Sequence, residues 1–551
     1  MTRWRYSFAA IVTLIGASGV SAQMNPIAGD PVHTTSGLVA GTEVQSGVKA
    51  YLGIPFASPP VGDLRWKAPQ PIKWAGVWNA DRKGPECMQV LRPHDINHYF
   101  GEEPTSENCL YMNIWAPADA KAGEKRPVIV FIYGGGGTIG SSGMANYDGT
   151  NMAKRGAVFV NFNYRVGILG FMAHPQLTAE QGGHSGDYGY LDQNAALRWI
   201  RDNIEQFGGD PDKVVISGQS FGAGSVAAQY TSALSKGLFR AAMMSSACGF
   251  TTESQNPPVS LADAERVGLD VQKRLGATDL AAMRNIPADK IIGIQAESQV
   301  GTNMQGLRAR PDIDGYFWTG TKEDAFATHK ASDVPIIASS NGDDLDSNAS
   351  PLTKAKTVAE YKEIARKMYG KDTGEFLRLY PVRSDADVQS MAHRAAMESG
   401  MLKNSRTCAI VQAKFNKSSA FIDTFVHKHP YAPGVRIADQ NIATVGAYHT
   451  ADVPYWFDTL DNYNMLRTTR VPTAWDRRLT DIMSSALIAL ANTGSPSTAA
   501  FQWPAYSEQR PNYAVFADTA SIEKLDLKRM NWAAAHPPRP IAPPQAIRPR
   551  D

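Results

Sequence analysis

The sequence has no strong excess of charge of either sign. Its 551 residues include 55 lysines and arginines against 53 aspartates and glutamates, a formal net charge of +2. Proteins that bind nucleic acid usually carry a basic patch or stripe, and none is visible along this chain. An acidic tail is missing as well. We therefore expect no nucleic-acid partner.

Long hydrophobic runs are also missing beyond the N-terminus, so the sequence predicts no membrane anchor. The first 22 residues combine Arg3 and Arg5 with a short apolar core and small residues at 20–22. This pattern is typical of a secretory signal peptide cleaved near Ala22 and Gln23, and the alternative is a buried N-terminal helix. Cleavage removes two of the 55 basic residues and no acidic one, which leaves 53 of each. The pattern predicts a secreted or periplasmic protein.

Cysteines are scarce, since the chain has four: Cys87, Cys109, Cys248 and Cys408. None belongs to a Cys-x-x-Cys pair, which argues against a zinc cluster or a thioredoxin-like motif. Export would allow disulfides to form. Cys87 and Cys109 could close a loop of about 22 residues, worth roughly 3 kcal/mol if the entropy of the unfolded chain is the source. Cys248 and Cys408 could pair or remain buried thiols.

Strand-like and helix-like segments alternate along most of the chain. The strand-like segments are rich in β-branched and aromatic residues and lie at 126–133, 156–164, 212–218, 333–339 and 419–426. Residues 190–207 carry apolar side chains at spacings of three and four, which predicts a helix. This alternation predicts an α/β fold with a mostly parallel sheet covered by helices on both faces. Residues 353–415 read as helical and charged, and the Pro-rich tail 536–551 is expected to be extended.

The strand predicted at 212–218 leads directly into Gly218-x-Ser220-x-Gly222. In a G-x-S-x-G turn between a strand and a helix, the strained serine backbone holds the hydroxyl above the sheet, and the glycines avoid clashes. A chance match is the alternative, but the position after a buried type of strand argues against it. Ser220 is therefore the candidate nucleophile, and it needs a base to take its proton.

Acidic residues and a histidine follow Ser220 in the chain order that such a turn predicts, serine then acid then histidine. Asp343, Asp344 and Asp346 lie in the loop after a predicted strand, where a carboxylate could orient a base. His449 lies in a loop between apolar segments and is the best candidate base. The other histidines that follow the acids have less suitable positions: His393 in a charged helical stretch, His427 and His429 at a strand end, and His536 in the tail.

Four consecutive glycines, Gly134 to Gly137, follow the strand predicted at 126–133. The spacing of Gly135, Gly137 and Gly140 also fits a dinucleotide-binding fingerprint. That fingerprint needs a helix directly after the glycines and an acidic residue at the end of the next strand, and this sequence has a poor helix start and no such acid. We expect the loop to present backbone N–H groups to the oxyanion of a tetrahedral intermediate.

These residues resemble the motifs of a type B carboxylesterase in the cholinesterase-related α/β-hydrolase family. The similarity extends over nearly the whole chain after the signal peptide, in YLGIPFASPPVGDLRW (51–66), SENCLYMNIW (106–115), NYRVGILGF (163–171), LDQNAALRWIRDNIEQFGGDP (191–211), RPDIDGYFW (310–318) and FQWPAY (501–506). The resemblance implies one α/β-hydrolase domain over residues 23–535, with helical insertions that form a substrate gorge. It implies a secreted serine carboxylic-ester hydrolase that acts on a small-molecule ester through an acyl-enzyme and needs no metal or cofactor.

The resemblance assigns a catalytic triad to Ser220, His449 and Asp344. The family usually has glutamate as the acid, and aspartate is one methylene shorter, so its loop must come closer to His449. Asp343 is the alternative acid. The oxyanion donors that the resemblance implies are three backbone amides, those of Gly135, Gly136 and Phe221. The structural pairs that it implies are the disulfide Cys87–Cys109 and the ion pair Arg65–Glu107.

Three further departures from the family pattern concern the cavity. Gln219 precedes the nucleophile where the family usually has glutamate, which removes a negative charge from the gorge. The loop 88–108 has no tryptophan, the residue with which cholinesterases hold a quaternary ammonium, so a choline ester is not expected. Gly137 stands where the family often has an aromatic residue, and Phe221 where it usually has alanine. We expect the Phe221 ring to fill the space beside Gly137, and the alternative is a plain helix–sheet contact.

Three other functions are compatible with part of the sequence. Some relatives in the family are adhesion proteins without the nucleophile, so a catalytically silent binding protein is the alternative to an enzyme. His94-x-x-x-His98 has a spacing that could place two metal ligands on one helical face, but no clear third ligand accompanies it. A lipase that acts at a membrane surface would need an exposed apolar lid, which the sequence does not clearly show.

Overall fold

Eleven strands form the main sheet of the computed structural model, which describes residues 26–90, 104–251, 257–297, 308–437 and 440–539. In chain order the strands are β1 Thr42–Gln45, β2 Val48–Pro55, β3 Tyr111–Pro117, β4 Arg126–Ile132, β5 Val158–Phe162, β6 Gly209–Gln219, β7 Ala241–Ser245, β8 Ile336–Asn341, β9 Ala420–Phe425, β10 Asn512–Phe516 and β11 Ala520–Lys524. Short strands outside this sheet are Val32–His33, Leu38–Ala40, Val77–Asn79, Glu86–Cys87, Thr105–Ser106, Val259–Ser260 and Asp312–Ile313.

The spatial order of the main sheet is β11-β10-β9-β8-β7-β6-β4-β5-β3-β2-β1. The pairs from β10 across to β5 are all parallel, whereas the pairs at the two ends of the sheet are antiparallel. In the register of the central strands, Gly218 of β6 lies opposite Ile132 of β4 and Met244 of β7. The carboxyl ends of these three strands therefore finish together at one edge of the sheet.

Helices flank the sheet and are connected to it in the alternating order that the sequence predicts. They are α1 Thr150–Lys154, α2 Gly167–Phe171, α3 Pro175–Glu180, α4 Tyr188–Asn203, α5 Phe221–Thr231, α6 Leu261–Leu275, α7 Leu280–Arg284, α8 Ala288–Glu297, α9 Lys322–Ala327, α10 Leu345–Ala349, α11 Val358–Tyr369, α12 Thr373–Leu379, α13 Asp385–Ser399, α14 Met401–Phe415, α15 Val453–Phe457, α16 Ala474–Thr493 and α17 Leu527–Ala535. The helix predicted at 190–207 corresponds to α4 and a 3-10 turn at Ile204–Phe207.

The central strands are buried because helices cover both of their faces. β4 has five consecutive buried residues at 128–132, and β5, β7, β8 and β9 are buried along their whole length. Continuous apolar runs of this kind are typical of parallel sheets, whereas a half-exposed strand alternates apolar and polar residues. The predicted α/β class with a mostly parallel sheet is confirmed.

The region predicted to be helical and charged, 353–415, contains α11 to α14. α11, α12 and α13 pack around a separate apolar cluster that includes Tyr361, Phe376 and Val388, with Trp532 of α17 against it. α14 packs on α13 and on β8 and β9, which attaches this helical layer to the sheet.

Two disulfides connect distant parts of the chain. Cys87 bonds to Cys109, and Cys248, just after β7, bonds to Cys408 in α14. The first pair is the one that the family resemblance implies, and the second resolves the alternative that the sequence left open. Arg65 donates from Nε and Nη2 to the two carboxylate oxygens of Glu107, at 2.7 and 2.5 Å.

None of the helices in the described ranges is long and apolar enough to cross a membrane. The signal peptide predicted at 1–22 lies outside the described residues, as does the Pro-rich tail beyond residue 539.

Candidate active site

The nucleophile turn lies where β6 ends and α5 begins. Ser220 has φ of +59° and ψ of −126°, and a positive φ is rare for a residue other than glycine. Its amide donates to the carbonyl of Ser245 at 2.9 Å, which joins the turn to the end of β7. A Cβ on Gly218 would collide with the carbonyl of Gly222, and a Cβ on Gly222 would collide with the carbonyl of Ile132. Both flanking glycines are therefore required by direct contact.

The glycine loop after β4 passes against this turn. A Cβ on Gly134 would lie only 2.9 Å from the Cβ of Ser220, and the next three glycines have φ of +99°, +66° and +72°. Within the described residues, the amides of Gly135 and Gly136 have no hydrogen-bond acceptor. Phe221 is the first residue of α5, so its amide has no acceptor within the helix. Amides without a protein acceptor, beside a serine hydroxyl, are what an oxyanion hole requires.

Asp344 and His449 come from loops at the same edge of the sheet, after β8 and after β9. Oδ1 of Asp344 lies 2.6 Å from Nδ1 of His449, and the Asp344 side chain is fully buried. Two hydrogen bonds of 3.0 Å join the loops. The amide of Asp343 donates to the carbonyl of Ala447, and the amide of Ala447 donates to Oδ2 of Asp343. Oδ1 of Asp343 lies 2.6 Å from Nδ1 of His393. Asp343 thus holds the loops together, and Asp344 contacts the imidazole.

The surroundings of Asp344 keep its carboxylate ionised. Burial alone would raise the pKa of Asp344, but the charge and hydrogen bond of His449, with hydrogen bonds from Ser246 and a backbone amide, lower it below its ordinary value. Asn341 donates to Oγ of Ser246 and to Oδ1 of Asp452, each at 2.9 Å, which holds Ser246 in place. An ionised acid of this kind orients a neutral imidazole and stabilises the imidazolium that forms when it takes a proton.

Gln219 occupies the other side of the imidazole. Its Nε2 lies 3.2 Å from Nε2 of His449. Because Nδ1 of His449 faces Asp344, Nε2 is the nitrogen left to take a proton from serine. The neutral amide of Gln219 therefore borders the atom at which a base would act.

The other histidines near the carboxyl end of the chain have structural contacts. His427 lies between two carboxylates, 2.9 Å from Oδ1 of Asp476 and 2.8 Å from that of Asp518. His429 is buried, and burial together with the charge of Arg470 lowers its pKa to about 3. None of these side chains lines the cavity described below, whereas His449 does.

The ring of Phe221 lies beside Gly137, as expected from the glycine at position 137 and the phenylalanine at position 221. A Cβ on Gly137 would be 2.6 to 3.0 Å from three carbons of the ring. The ring also contacts Phe171 and Tyr190, with centroid distances of 5.6 and 6.0 Å. Phe221 therefore occupies the space into which a side chain at position 137 would point.

Ser220, His449 and the glycine loop open into a cavity of about 420 Å³. Aromatic side chains make up much of its wall, among them Tyr133, Tyr190 and Trp318. The cavity is also lined by three cationic side chains: Arg308, Arg310 and Lys322. These cations, like Asn341 and Ser246, were not predicted from the sequence. Arg310 begins the segment RPDIDGYFW (310–318) that carries the family resemblance, but nothing in the sequence shows that its side chain faces the cavity.

Two predictions concern residues outside the described ranges. The pair His94 and His98, considered as metal ligands, lies in the segment 91–103, and so does most of the loop 88–108 in which no tryptophan occurs. In the described part of the chain, no group of three or more His, Cys, Asp or Glu side chains could hold a metal ion. The side chain of Asp346 also lies outside the description.

Comparison with known proteins identifies the family that this chain resembles. A family model described as the carboxylesterase family matches residues 29–533. The fumonisin B1 esterase of Sphingopyxis macrogoltabida is 35% identical over 486 residues, which cover 87% of this chain and 84% of that protein. The para-nitrobenzyl esterase of Bacillus subtilis is 30% identical over 500 residues, which cover 89% of this chain and 96% of that protein.

Solved structures show the same relationship. A structure of PNB esterase matches with a TM-score of 0.72 at 28% identity, and the match covers 91% of this chain and 98% of that one. A thermophilic PNB esterase also matches with a TM-score of 0.72 at 28% identity, and covers 91% and 99% of the two chains. The α/β-hydrolase fold implied by the sequence is confirmed.

Proposed function

This chain belongs to the carboxylesterase family and is a carboxylic ester hydrolase, and we propose that it cleaves its ester through Ser220, His449 and Asp344 by way of an acyl-enzyme. The single observation that carries this proposal is the convergence of three groups on one cavity. They are a serine on a positive-φ turn, an imidazole held by a buried carboxylate at 2.6 Å, and backbone amides that have no acceptor among the described residues.

Acylation begins when Oγ of Ser220 attacks the ester carbonyl carbon and its proton passes to Nε2 of His449. The carbonyl oxygen becomes an oxyanion, which accepts hydrogen bonds from the amides of Gly135, Gly136 and Phe221. Each such donor contributes roughly a 10²- to 10³-fold rate increase in serine hydrolases. When the tetrahedral intermediate collapses, Nε2 returns the proton to the alkoxide, and the alcohol leaves.

Deacylation repeats the sequence with water. His449 takes a proton from the water as its oxygen attacks the acyl carbon, and the same amides hold the second oxyanion. Collapse breaks the bond to Oγ of Ser220, which regains the proton, and the carboxylic acid leaves. Asp344 remains ionised throughout and stabilises the imidazolium in both steps. No step needs a metal ion or a cofactor.

Substitution of the nucleophile tests this proposal. With 4-nitrophenyl butanoate as substrate, we expect Ser220→Ala to lower kcat by at least about 10⁴-fold, because a triad works as a unit. Ser390→Ala is the matched control, since Ser390 is an exposed residue of α13 whose hydroxyl donates to a backbone carbonyl of its own helix. An organophosphate should label Ser220 in the parent protein. Normal turnover in Ser220→Ala, or a label on another residue, would refute the assignment, and no turnover in either protein would favour a silent binding protein.

We also propose export of the chain. The N-terminal signal pattern and the two disulfides support a protein that folds in an oxidising compartment. N-terminal sequencing of protein recovered from its own host should give a first residue near Gln23. A mature protein that still begins at Met1 would contradict this part of the proposal.

A further inference from the structure

The cationic side chains of the cavity have no acidic counterparts in its wall. Arg308, Arg310 and Lys322 line the same cavity as Ser220 and His449, and none of the described residues that line it is aspartate or glutamate. Carboxylesters are neutral at the reacting group, so the reaction itself does not require three positive charges here. The charges instead point to a group that the substrate carries.

Arg308 is the cation that bonds to the glycine loop. It is half-buried, and its Nη2 donates to the carbonyl of Gly136, one of the proposed oxyanion glycines. Burial and the charge of Arg310 lower the pKa of Arg308, and no carboxylate of the described residues forms an ion pair with it. Arg310 donates to the carbonyl of Pro257 at 2.7 Å, and it also forms no ion pair with any of the described residues.

Lys322 is the most buried of the three. Its ammonium lies 5.3 Å from the ring centre of Trp318, and within the described residues it forms no hydrogen bond or salt bridge. Burial lowers its pKa to about 8, against the opposing effect of Glu323 and Asp187. The Asp187 carboxyl is itself buried, and burial together with Asp312 and Asp314 raises its pKa well above its ordinary value.

Partly buried cations without an acidic partner among the described residues are costly, and two guanidinium groups near each other repel. A carboxylate would remove both costs, because its two oxygens match the paired N–H donors of a guanidinium. Arg308 bonds to the carbonyl of Gly136, so a carboxylate bound by Arg308 would lie beside the glycine loop. An aliphatic or aromatic ester without charge would leave the cations unpaired.

We propose that the natural substrate is an anionic ester, with a free carboxylate close to the scissile bond that Arg308, Arg310 and Lys322 bind. This inference rests on the proposed function, since it names the substrate class of the same site. A role for Arg308 that is only structural, holding the loop at Gly136, predicts equal losses on charged and neutral esters. The ratio of the rates on anionic and neutral esters therefore distinguishes substrate binding by Arg308 from a purely structural role in the glycine loop.

Two matched ester pairs test the preference and locate the charge. On the acyl side, mono-4-nitrophenyl glutarate is compared with 4-nitrophenyl pentanoate, which has a methyl group in place of the carboxylate. On the alcohol side, 3-carboxyphenyl butanoate is compared with its neutral amide, 3-carbamoylphenyl butanoate. We expect a higher kcat/KM for the anionic member in at least one pair, and the pair that responds identifies the side that carries the carboxylate.

Variants then connect the preference to the cations. Arg308→Gln should lower the ratio of anionic to neutral kcat/KM by about 10- to 100-fold, the range for a lost charge-assisted hydrogen bond. Arg308→Lys should restore part of that ratio. Arg274→Gln is the matched control with the same charge change, because Arg274 is an exposed residue of α6 paired with Asp270, and it should leave the ratio unchanged. Organophosphate titration of Ser220 corrects every rate for the fraction of folded enzyme.

A measurement on the unaltered protein guards against loss of folding in the variants. Glutarate should inhibit hydrolysis of the neutral ester competitively and more strongly than glutaramide does. Preference for the neutral ester in both pairs, an unchanged ratio in Arg308→Gln, or equal inhibition by the two compounds would overturn the inference. If Ser220→Ala still hydrolyses both esters, the proposed function fails instead. The two failures are thus distinguishable.

Discussion

Replacing Gly137 by alanine should cost far more when Phe221 is present than when it is absent. The Cβ of the new residue would lie 2.6 Å from Cζ of Phe221, well inside a normal carbon–carbon contact. The ring packs against Phe171 and Tyr190, which limits how far it can move aside. We expect the clash to be relieved at least in part by movement of the glycine loop, which also carries the proposed oxyanion amides.

The expected energies follow from two separate costs. A residue other than glycine at φ of +72° costs about 1–2 kcal/mol. Forcing an extra methyl group into filled space adds about 1–3 kcal/mol. Phe221→Ala removes only the second cost, so Gly137→Ala should cost about 2–5 kcal/mol in the parent protein and about 1–2 kcal/mol in the Phe221→Ala background. The coupling energy between the two positions is therefore about 1–3 kcal/mol.

A double-mutant cycle measures this coupling. The four proteins are compared by their free energy of unfolding in urea with the disulfides intact, and by kcat/KM on 4-nitrophenyl butanoate. Gly293→Ala in α8 is the control, because no atom lies within 4 Å of its added Cβ, and it should be neutral or slightly stabilising. Additive effects within about 0.5 kcal/mol would refute the packing argument, since independent sites behave that way.

Three further outcomes are expected from the same structure. Asp344→Asn should lower kcat by about 10⁴-fold with little change in KM, because the amide favours the wrong tautomer of His449. A decrease in kcat of less than tenfold in steady-state assays would exclude Asp344 as the orienting acid. Gln219→Glu should move the acidic limb of the kcat/KM profile to higher pH, because a carboxylate beside Nε2 stabilises the imidazolium; an unmoved limb would contradict this contact. Burial alone would lower the pKa of His427, but its carboxylate neighbours, Asp476 among them, raise it above the ordinary value. The stability that protonated His427 gains from these carboxylates is therefore fully present below about pH 6.5 and is lost as the pH rises through the folded-state pKa of His427. Urea unfolding should show that His427→Gln destabilises the protein more at pH 5.5 than at pH 8.5. An equal loss of unfolding free energy at the two pH values would refute this assignment.

Local sequence patterns predicted much of the fold and the reaction class. Parallel strands are buried on both faces, so β4, β5 and β8 appear in the sequence as short apolar runs, and α4 shows the spacing of a helix. The turn around Ser220 is marked in the sequence by the glycines two positions before and two positions after the serine, although Gly222 is required by a contact with Ile132 of β4. The α/β class and the ester hydrolase class could therefore be predicted from the residues and their family resemblance.

Tertiary structure decided what depends on contacts between distant segments. Asp343 and Asp344 are adjacent and identical in type, and only the packing of their loop against the loop of His449 determines which carboxylate faces the imidazole. The pairing of Cys248 with Cys408, 160 residues apart, likewise depends on where α14 packs.

The charges of the cavity are the clearest case. Arg308, Arg310 and Lys322 lie on irregular backbone and at the start of a short helix, where no periodic pattern identifies an inward-facing side chain. Whether a cation faces solvent or a closed cavity depends on what the folded chain places around it. Sequence thus predicted the reaction class, because the residues that indicate it form local motifs, and tertiary structure determined the electrostatics of the cavity, because those depend on which side chains the fold brings to its wall.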